Sequence, residues 1–406
     1  MIKMHWNLCK TKKKISVLIK NYFYTFTFAN KTRQMAQKYE IKTANEGKEF
    51  KDFINFPYLL YKDNKYWIPP IKSEEKKLWR KHPALKFIDM QKWVVYWKGR
   101  PVGRIAAAIN HKYNKKIGQK YGRIIGLEMY NDEKAFNLLM DTATRWLKDK
   151  GMKKVHGPLG FTNLDTQGML VEGFDELPSI ASVYHMPYYK TLMKKYGFEK
   201  ENDWVEFHLK LTDEPVKKGE RGAKLLQRRF GFEVFSPKDK KELASYADTA
   251  LDILNKAFAH LPYVIELDDE LKEYYINKYF KLLNPKYTFF VKDKDKIVGF
   301  LITMPSLSEG MKKANGKLFP LGWYYIMQSL KHPTCIDTLL TGVIPEYDSK
   351  GVAVMLFDAL HKAMIANNIK DIETTGVFED NHNVIANWKN YEHIQHKRRR
   401  TWVKDL

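Results

Sequence analysis

Apolar and polar positions follow one order of elements twice along the chain. In the first stretch, strands are predicted at residues 93–97, 102–109 and 122–128, and a helix at 134–150. The helix prediction rests on apolar residues three and four positions apart, including Phe136, Leu139 and Ala143. The stretch therefore reads as an antiparallel hairpin, a third strand and a covering helix.

The second stretch repeats this order with a longer ending. A hairpin is predicted at residues 288–292 and 296–304, a strand at 336–343 and a helix at 353–364. A strand at 372–377, a short helix at 384–391 and a last strand at 398–403 follow. Two copies of one plan indicate an internal duplication, which predicts an α/β fold with a mixed sheet in each copy.

The domain boundaries follow from this repeat. The first domain is predicted at residues 35–211 and the second at 225–406, joined by a polar, basic linker at 212–224. Residues 1–34 precede Met35, which we take as the true first residue of the protein. The alternative is a basic, aromatic leader that anchors at a membrane interface, because its apolar run is too short to cross a bilayer.

Composition and charge narrow the class of protein. The 406 residues are 44% hydrophobic, enough for sizeable cores, and the net charge of +23 suggests an anionic partner or surface. A lysine-rich surface with no specific partner explains the charge equally well. Cys9 and Cys335 are the two cysteines, which exclude a disulfide framework and favour a reducing cytoplasm. No spacing of a metal site is present, so no metal is expected.

The richest chemistry lies where the predicted strand at 336–343 leads into the helix at 353–364. Gly351 stands in the short polar loop between them. The first N–H groups of a helix lack intrahelical partners and carry partial positive charge, and glycine lets an anion approach the backbone. This segment therefore predicts a phosphate-binding loop.

The loop and the predicted elements after it resemble the GNAT superfamily of acyl-CoA-dependent N-acyltransferases. The family signature Q/R-x-x-G-x-G/A falls on residues 348–353, where Gly351 and Ala353 match and Asp348 departs from it. Over residues 38–406 the chain resembles a bacterial family of tandem GNAT-like proteins, most of them regarded as N-acyltransferases. The resemblance is carried by GPLGFTN, GMLVEGFDELP, YYKTL, NGKLFPLG and VIPEY.

The resemblance implies acyl-CoA as co-substrate. Its pantetheine arm would pair with the strand at Thr341, Gly342 and Val343, and Asn381 would hold the cofactor or order its loop. The diphosphate would lie on the loop backbone, which comprises Ser349, Lys350, Gly351, Val352 and Ala353.

The resemblance also implies proton transfer, because the family's amine attacks the thioester directly. Glu373 and Glu379 are the candidate bases, with Asp337 as a third choice. The family's thiolate acid, a tyrosine seven residues past the asparagine, falls on Trp388, so Tyr391 is the substitute candidate. Each of these residues could equally be an ion-paired or core residue.

The first domain lacks the glycine loop, since Asp132 and Glu133 stand in its place and would repel a diphosphate. It is therefore expected to be a degenerate copy that shapes the acceptor pocket. Candidate acceptor-binding residues are Asn163, Asp165, Gln167, Tyr188 and Tyr189, although the first three could merely cap turns. The basic run 396–400 is interpreted as a solvated edge strand.

The expected function is N-acyl transfer from acyl-CoA to a small or lipid amine, with a long chain and a ceramide-synthase-like acceptor as one version. The charge and aromatic loops suit a cytoplasmic enzyme, peripheral at the inner face of an anionic membrane. Two alternatives stay open. One is an aminoacyl-tRNA-dependent transferase of the peptidoglycan type, although the phosphate loop favours CoA over nucleic acid. The other is a non-catalytic GNAT-like binding or regulatory module.

Overall fold

A computed structural model describes residues 39–280 and 282–406. The strands of this part of the chain form one 14-stranded mixed sheet. The predicted leader at 1–34 and the proposed start at Met35 lie outside the described residues. We call residues 39–211 the first half and residues 212–406 the second half.

The first half contains seven strands and five helices among the described residues. In chain order they are β1 (Tyr39–Thr43), α1 (Gly47–Leu60), α2 (Lys72–Lys81), β2 (Ile88–Trp97), β3 (Arg100–Asn110), α3 (His111–Ile117), β4 (Tyr121–Met129), α4 (Glu133–Asp149), β5 (Lys154–Gly157), β6 (Met169–Glu172), α5 (Tyr188–Lys195) and β7 (Glu199–Lys210). The hairpin of β2 and β3 turns at Lys98 and Gly99, which both have the positive φ that tight hairpins require.

The second half begins with a helix and then repeats the plan. Its elements are α6 (Asp213–Phe230), β8 (Glu233–Phe235), α7 (Lys240–Ser245), α8 (Ala247–Phe258), α9 (Asp269–Tyr275), β9 (Thr288–Asp293), β10 (Lys296–Pro305), α10 (Ser308–Ala314), α11 (Gly322–Lys331), β11 (Cys335–Val343), α12 (Val352–Ala366), β12 (Asp371–Thr374), β13 (Val377–Phe378), α13 (His382–Ala386) and β14 (Glu392–Asp405). The strands and long helices predicted from the sequence are confirmed, with ends shifted by a few residues.

Both halves place a parallel strand pair next to an antiparallel hairpin. β4 pairs in parallel with β5, and β11 pairs in parallel with β12. The register also shifts between Arg104 and Ala106 where β3 pairs with β4, and between Ile302 and Thr303 where β10 pairs with β11. The parallel pairing ends at Arg123 on β4 and at Thr338 on β11, although both strands continue, so each half has a cleft where its parallel strands diverge.

The last strand of each half inserts into the sheet of the other half. The strand order β5-β14-β7-β12 puts β14 beside β5 of the first half and β7 beside β12 of the second. The interpretation of residues 396–400 as a solvated edge is therefore wrong. Lys397 and Arg399 are 1% and 4% exposed, and β14 pairs with β7 along this run and with β6 at Arg398 to Arg400.

The segment 212–224, predicted as a linker, is helical and forms most of α6. The polar residues of this segment form ion pairs four residues apart, Glu214 with Lys218 and Glu220 with Lys224, and such pairs stabilise a helix. The helix ends at Gly231, which takes the left-handed conformation. The division into domains at this segment stays a prediction.

The largest hydrophobic cluster draws on both halves, with Trp204 and Phe207 of β7 in the same cluster as Phe290 and Phe300. Burial of such aromatic side chains stabilises the junction between the two halves. Within the described ranges, helices long and apolar enough to cross a bilayer are not found.

Candidate active site

The cleft of the second half opens where β11 leaves β12. The two strands pair from Cys335 and Asp371 as far as Thr338 and Thr374, and β11 then continues to Val343. Beyond that point β11 is paired only with β10 on its other side. The predicted residues Thr341, Gly342 and Val343 lie on this stretch, which leaves a strand edge that an extended ligand could pair with.

The predicted phosphate loop closes the outer end of this cleft. A 3₁₀ turn at Pro345–Lys350 leads to Gly351, whose φ of 75° is left-handed, and α12 starts at Val352. The left-handed backbone favours glycine here, and a Cβ on Gly351 would also come within 2.8 Å of Cδ1 of Leu226 on α6, so that side chain would have to shift.

The side chains around the loop are accessible in part. Ser349 is exposed, Val352 is buried, and Lys350, Gly351 and Ala353 are half-buried. Nζ of Lys350 lies 4.1 Å from the ring centroid of Tyr347, which keeps its charge beside the loop.

Asn381 orders the loop before α13. Its side-chain oxygen accepts a hydrogen bond from the backbone N–H of Val384 at 3.3 Å, the usual contact of an N-cap residue. This placement agrees with the loop-ordering role, one of the two expected for Asn381.

Glu373 lies on β12 at the point where the cleft begins, and two histidines contact its carboxylate. Nε2 of His396 is 2.7 Å from Oε1, and Nδ1 of His208 is 3.4 Å from Oε2. Burial alone would raise the pKa of Glu373, but the hydrogen bonds from His208 and His396 outweigh it and lower the pKa. The hydrogen bond with Glu373 in turn raises the pKa of His208. Glu373 is therefore an ionised carboxylate that can accept a proton.

Asp337 is the cross-strand partner of Glu373, and its pKa is shifted in the opposite direction. It is fully buried, and burial raises its pKa to about 8, although the Ser306 hydroxyl acts in the other direction. Near neutral pH the two neighbouring carboxyls therefore differ in protonation. Such a divergence of pKa values is typical of acid–base pairs in active sites.

A cavity of about 440 Å³ adjoins Glu373. Its walls come from the second half and from a short segment of the first half, so both halves contribute to it. The lining residues are Leu177, Pro178, Ser179, Ser306, Ser308, Glu309, Gln328, Ser329, His332, Thr334, Cys335 and Glu373.

The exchanged strands β7 and β14 supply side chains next to this site that the sequence analysis missed. Arg399 donates to the buried carboxylate of Glu206 at 2.5 Å, and the Ser182 hydroxyl donates to the same oxygen at 2.7 Å. Lys397 donates to the backbone oxygen of Leu177, which holds the first-half segment over the cavity. The sequence feature that could have indicated this pairing is the basic run on the last strand together with the acidic residues Asp203 and Glu206 on β7.

Two of the predicted catalytic residues lie apart from the Glu373 cluster. Glu379 pairs with Lys200 and with Arg398 on the partly exposed side of the sheet. The hydroxyl of Tyr391 is 2.6 Å from Nε2 of His361 on α12, and burial lowers the pKa of His361 to about 4. Tyr391 and Trp388 are both buried, which agrees with their interpretation as core residues.

The candidate acceptor residues of the first half mainly organise turns. Asp165 accepts from the backbone N–H of Thr162 at 3.0 Å, and Gln167 donates to the Thr162 carbonyl at 2.6 Å. Asp165 also lines a cavity of about 250 Å³ in the first half's own cleft, together with Glu75, Arg104 and Glu128. Asn163 is half-buried beside this turn.

Tyr188 and Tyr189 fill the place where a ligand would pair with β4. The backbone N–H of Met129 donates to the Tyr189 hydroxyl at 2.6 Å, and the Tyr188 hydroxyl donates to the Met129 carbonyl at 2.5 Å. At the start of α4, the Asp132 carboxylate accepts from the N–H groups of Lys134 and Ala135. In this half the Met129 backbone and the N–H groups of Lys134 and Ala135 therefore have side-chain partners within the chain.

Comparison with known proteins supports the architecture. No family model matches the chain. Protein YghO of Escherichia coli (strain K12) is 27% identical over 361 residues, which cover 84% of this chain and 89% of that protein. A bacterial ceramide synthase of Caulobacter vibrioides is 24% identical over 295 residues, which cover 70% of this chain and 74% of that protein.

Among solved structures, a tandem GNAT protein from the clavulanic acid biosynthesis pathway aligns with a TM-score of 0.53 at 13% identity. The alignment covers 90% of this chain and 98% of that chain. This protein therefore has a tandem GNAT fold, as the sequence resemblance predicted.

Proposed function

We propose that this protein is an N-acyltransferase that moves an acyl group from acyl-CoA to an amine. The observation that carries the proposal is the carboxyl pair Glu373 and Asp337, placed where the strands of the second half diverge. The tandem GNAT fold and the similarity to a bacterial ceramide synthase support the same class of reaction.

In this proposal the second half binds the donor. The diphosphate lies on the backbone from Ser349 to Ala353, and the pantetheine arm pairs with β11 from Thr341 to Val343. The net positive charge of the first N–H groups of α12 favours the diphosphate, and the side chain of Lys350 adds to it. Asn381 keeps the neighbouring loop in place.

The chemistry needs two proton transfers. The amine nitrogen attacks the thioester carbonyl carbon, Glu373 accepts the proton that the amine loses, and the C–S bond breaks. The departing thiolate then takes a proton, for which Asp337 is the proposed source and Tyr391 the alternative. His396 and His208 hold the carboxylate of Glu373 ionised and oriented, since both contact its oxygens.

We propose an amphipathic amine as the acceptor and a long acyl chain on the donor. The similarity to a ceramide synthase and the net charge of +23 support this version, with a working place in the cytoplasm at the inner face of an anionic membrane. The cavity beside Glu373 combines polar groups near the carboxylate with apolar ones such as Leu177 and Pro178.

The test is release of free CoA from acetyl-CoA and palmitoyl-CoA in the presence of ethanolamine and of sphinganine. The proposal predicts release that depends on the amine and is faster with palmitoyl-CoA and sphinganine. The proposal would be contradicted if the rate of CoA release did not depend on the amine, or if neither donor released CoA. In that case an aminoacyl-tRNA donor and a purely binding role are the hypotheses left to test.

A further inference from the structure

The end of the loop after α10 and the first part of α11 expose large apolar side chains, and we call this segment the hairpin tip (residues 318–327). Phe319 is 78% exposed, more than any other large apolar side chain among the described residues. Its exposed companions in the tip are Leu318, Leu321, Trp323, Tyr324 and Met327. Soluble monomers rarely expose contiguous apolar surface of this kind unless it binds a partner or a membrane.

The backbone of the tip is fixed, so these side chains are held outward. The N–H of Trp323 donates to the Leu318 carbonyl at 2.8 Å, and its indole N–H donates to the Pro320 carbonyl at 2.9 Å. A Cβ on Gly322 would clash with the Lys317 carbonyl oxygen, because the turn closes tightly there. The tip is therefore an ordered turn that presents its apolar side chains at the surface.

Positive charge surrounds the tip. Residues 310–334 include four lysines and neither aspartate nor glutamate. Lys313, Lys317 and Lys331 lie on this segment, and Lys72 of α2 is close enough to Lys317 for the two charges to interact. Tryptophan, tyrosine and phenylalanine bordered by lysine are characteristic of surfaces that sit at the interface of an anionic bilayer.

The tip is continuous with the cavity beside Glu373. Helix α11 carries Trp323 and Tyr324 at its exposed start, whereas its later residues Gln328 and Ser329 line the cavity. His332, directly after the helix, lines the cavity too. One short helix thus connects the exposed apolar surface with the cavity.

We propose that the hairpin tip docks this protein on the surface of an anionic lipid bilayer. Phe319, Leu321 and Trp323 enter the interfacial region, and the lysines contact lipid phosphates. An amphipathic substrate then passes from the bilayer along α11 into the cavity. The docking rests on the exposed residues alone, whereas the passage of substrate rests on the proposed function.

The experiment is co-sedimentation of the full chain with phosphatidylcholine vesicles that contain or lack phosphatidylglycerol. We expect binding to the anionic vesicles and at least a tenfold loss of binding in the Phe319→Ser, Leu321→Ser double variant. The matched control is Leu225→Ser on α6, which removes another exposed leucine, 63% exposed, and leaves binding unchanged. Lys313→Gln with Lys317→Gln should weaken binding to anionic vesicles and reduce its dependence on salt.

Three results would overturn the docking proposal. They are failure of the wild-type chain to sediment with anionic vesicles, equal binding by the double variant, and a dimer in light scattering that the double variant converts to a monomer. The proposed function is judged separately, by turnover of acetyl-CoA with a soluble amine in the absence of vesicles. The double variant should keep that turnover, because its substitutions lie outside the cavity.

Discussion

The two halves share one fold, yet their clefts differ in what occupies them. In the first half, hydroxyls of Tyr188 and Tyr189 contact the Met129 backbone, and Asp132 caps the helix that follows. In the second half, side-chain hydrogen bonds to the backbone of residues 340–343 are not found in the described part of the chain. There α12 starts after Gly351 instead of an acidic cap. A few side chains therefore distinguish the two clefts: in the first half they occupy the Met129 backbone and the start of α4, and in the second half the corresponding backbone lacks such side-chain partners.

The largest effect should come from the carboxylate at the open cleft. We predict that Glu373→Gln lowers kcat by about 10²–10⁴-fold, the usual contribution of a general base, and leaves acyl-CoA binding intact. Glu379→Gln is the matched control, because that carboxylate pairs with Lys200 and Arg398 and should change kcat little. Equal losses in both variants would remove Glu373 from the mechanism.

The buried carboxyls of the two halves should give different pH dependence of stability. The folded state of Asp337 keeps its proton up to about pH 8, whereas the unfolded chain loses it near the ordinary value of 3.8. Its contribution to stability is complete below that value and is lost as the pH rises towards 8. Burial likewise raises the pKa of Glu128 in the first half, to about 7. Its contribution to stability is therefore lost over a narrower pH range, from the ordinary value of 4.5 to about 7.

The measurement is urea unfolding of the wild type, Asp337→Asn and Glu128→Gln between pH 5 and 8. Each amide variant should lose part of the fall in stability with rising pH, by up to ~1.4 kcal/mol per pH unit for one group. The change should extend to higher pH for Asp337→Asn than for Glu128→Gln. Parallel curves for all three proteins would show that neither carboxyl is protonated in the folded state.

Substitution of two glycines can distinguish the stability cost of backbone strain from that of side-chain packing. Gly351 has a left-handed φ and a close neighbour in Leu226, whereas Gly118 in the first half has a left-handed φ and open space around it. We predict that Gly351→Ala costs about 2 kcal/mol and Gly118→Ala about 1 kcal/mol, measured by thermal unfolding. A larger loss at Gly118 would contradict the packing of α6 against the phosphate loop.

Two buried tyrosines allow hydroxyl contacts in the two halves to be compared, with effects of about 1–3 kcal/mol. Tyr189→Phe leaves the Met129 N–H without its hydroxyl partner and removes one of the two hydroxyls that contact Glu128, the other being that of Tyr61, so it should cost about 1–3 kcal/mol of stability. Tyr391→Phe removes the contact with His361 and should cost about 1 kcal/mol, with kcat nearly unchanged. A fall of kcat by about a hundredfold in Tyr391→Phe would instead assign Tyr391 as the thiolate acid.

Much of the fold could be predicted from the sequence because local patterns determine it. Helical spacing of apolar residues indicated α4, and the recurrence of one order of predicted elements indicated the duplication. The exchange of β7 and β14 could not be predicted, since pairing between distant strands leaves no local signal. For the same reason the basic residues of β14 were taken for a solvated edge.

The candidate site was predictable in part. Glu373 and Gly351 stand where the GNAT-like order of elements places them. The histidines that contact Glu373 come from β7 and β14, so their role depends on the exchange and was not foreseen. Tyr188 and Tyr189 were expected to contact a substrate, yet their hydroxyls contact the Met129 backbone. That contact depends on packing in three dimensions between residues distant in the sequence.

The most direct test of the account is the stoichiometry of acyl-CoA binding by calorimetric titration. We predict one site per chain, lost in Ser349→Glu, which places a negative charge on the exposed side of the phosphate loop. Lys134→Glu, at the corresponding helix start of the first half, should bind as the wild type does. Two sites per chain, or binding lost in Lys134→Glu and kept in Ser349→Glu, would contradict the claim that only the second half receives acyl-CoA.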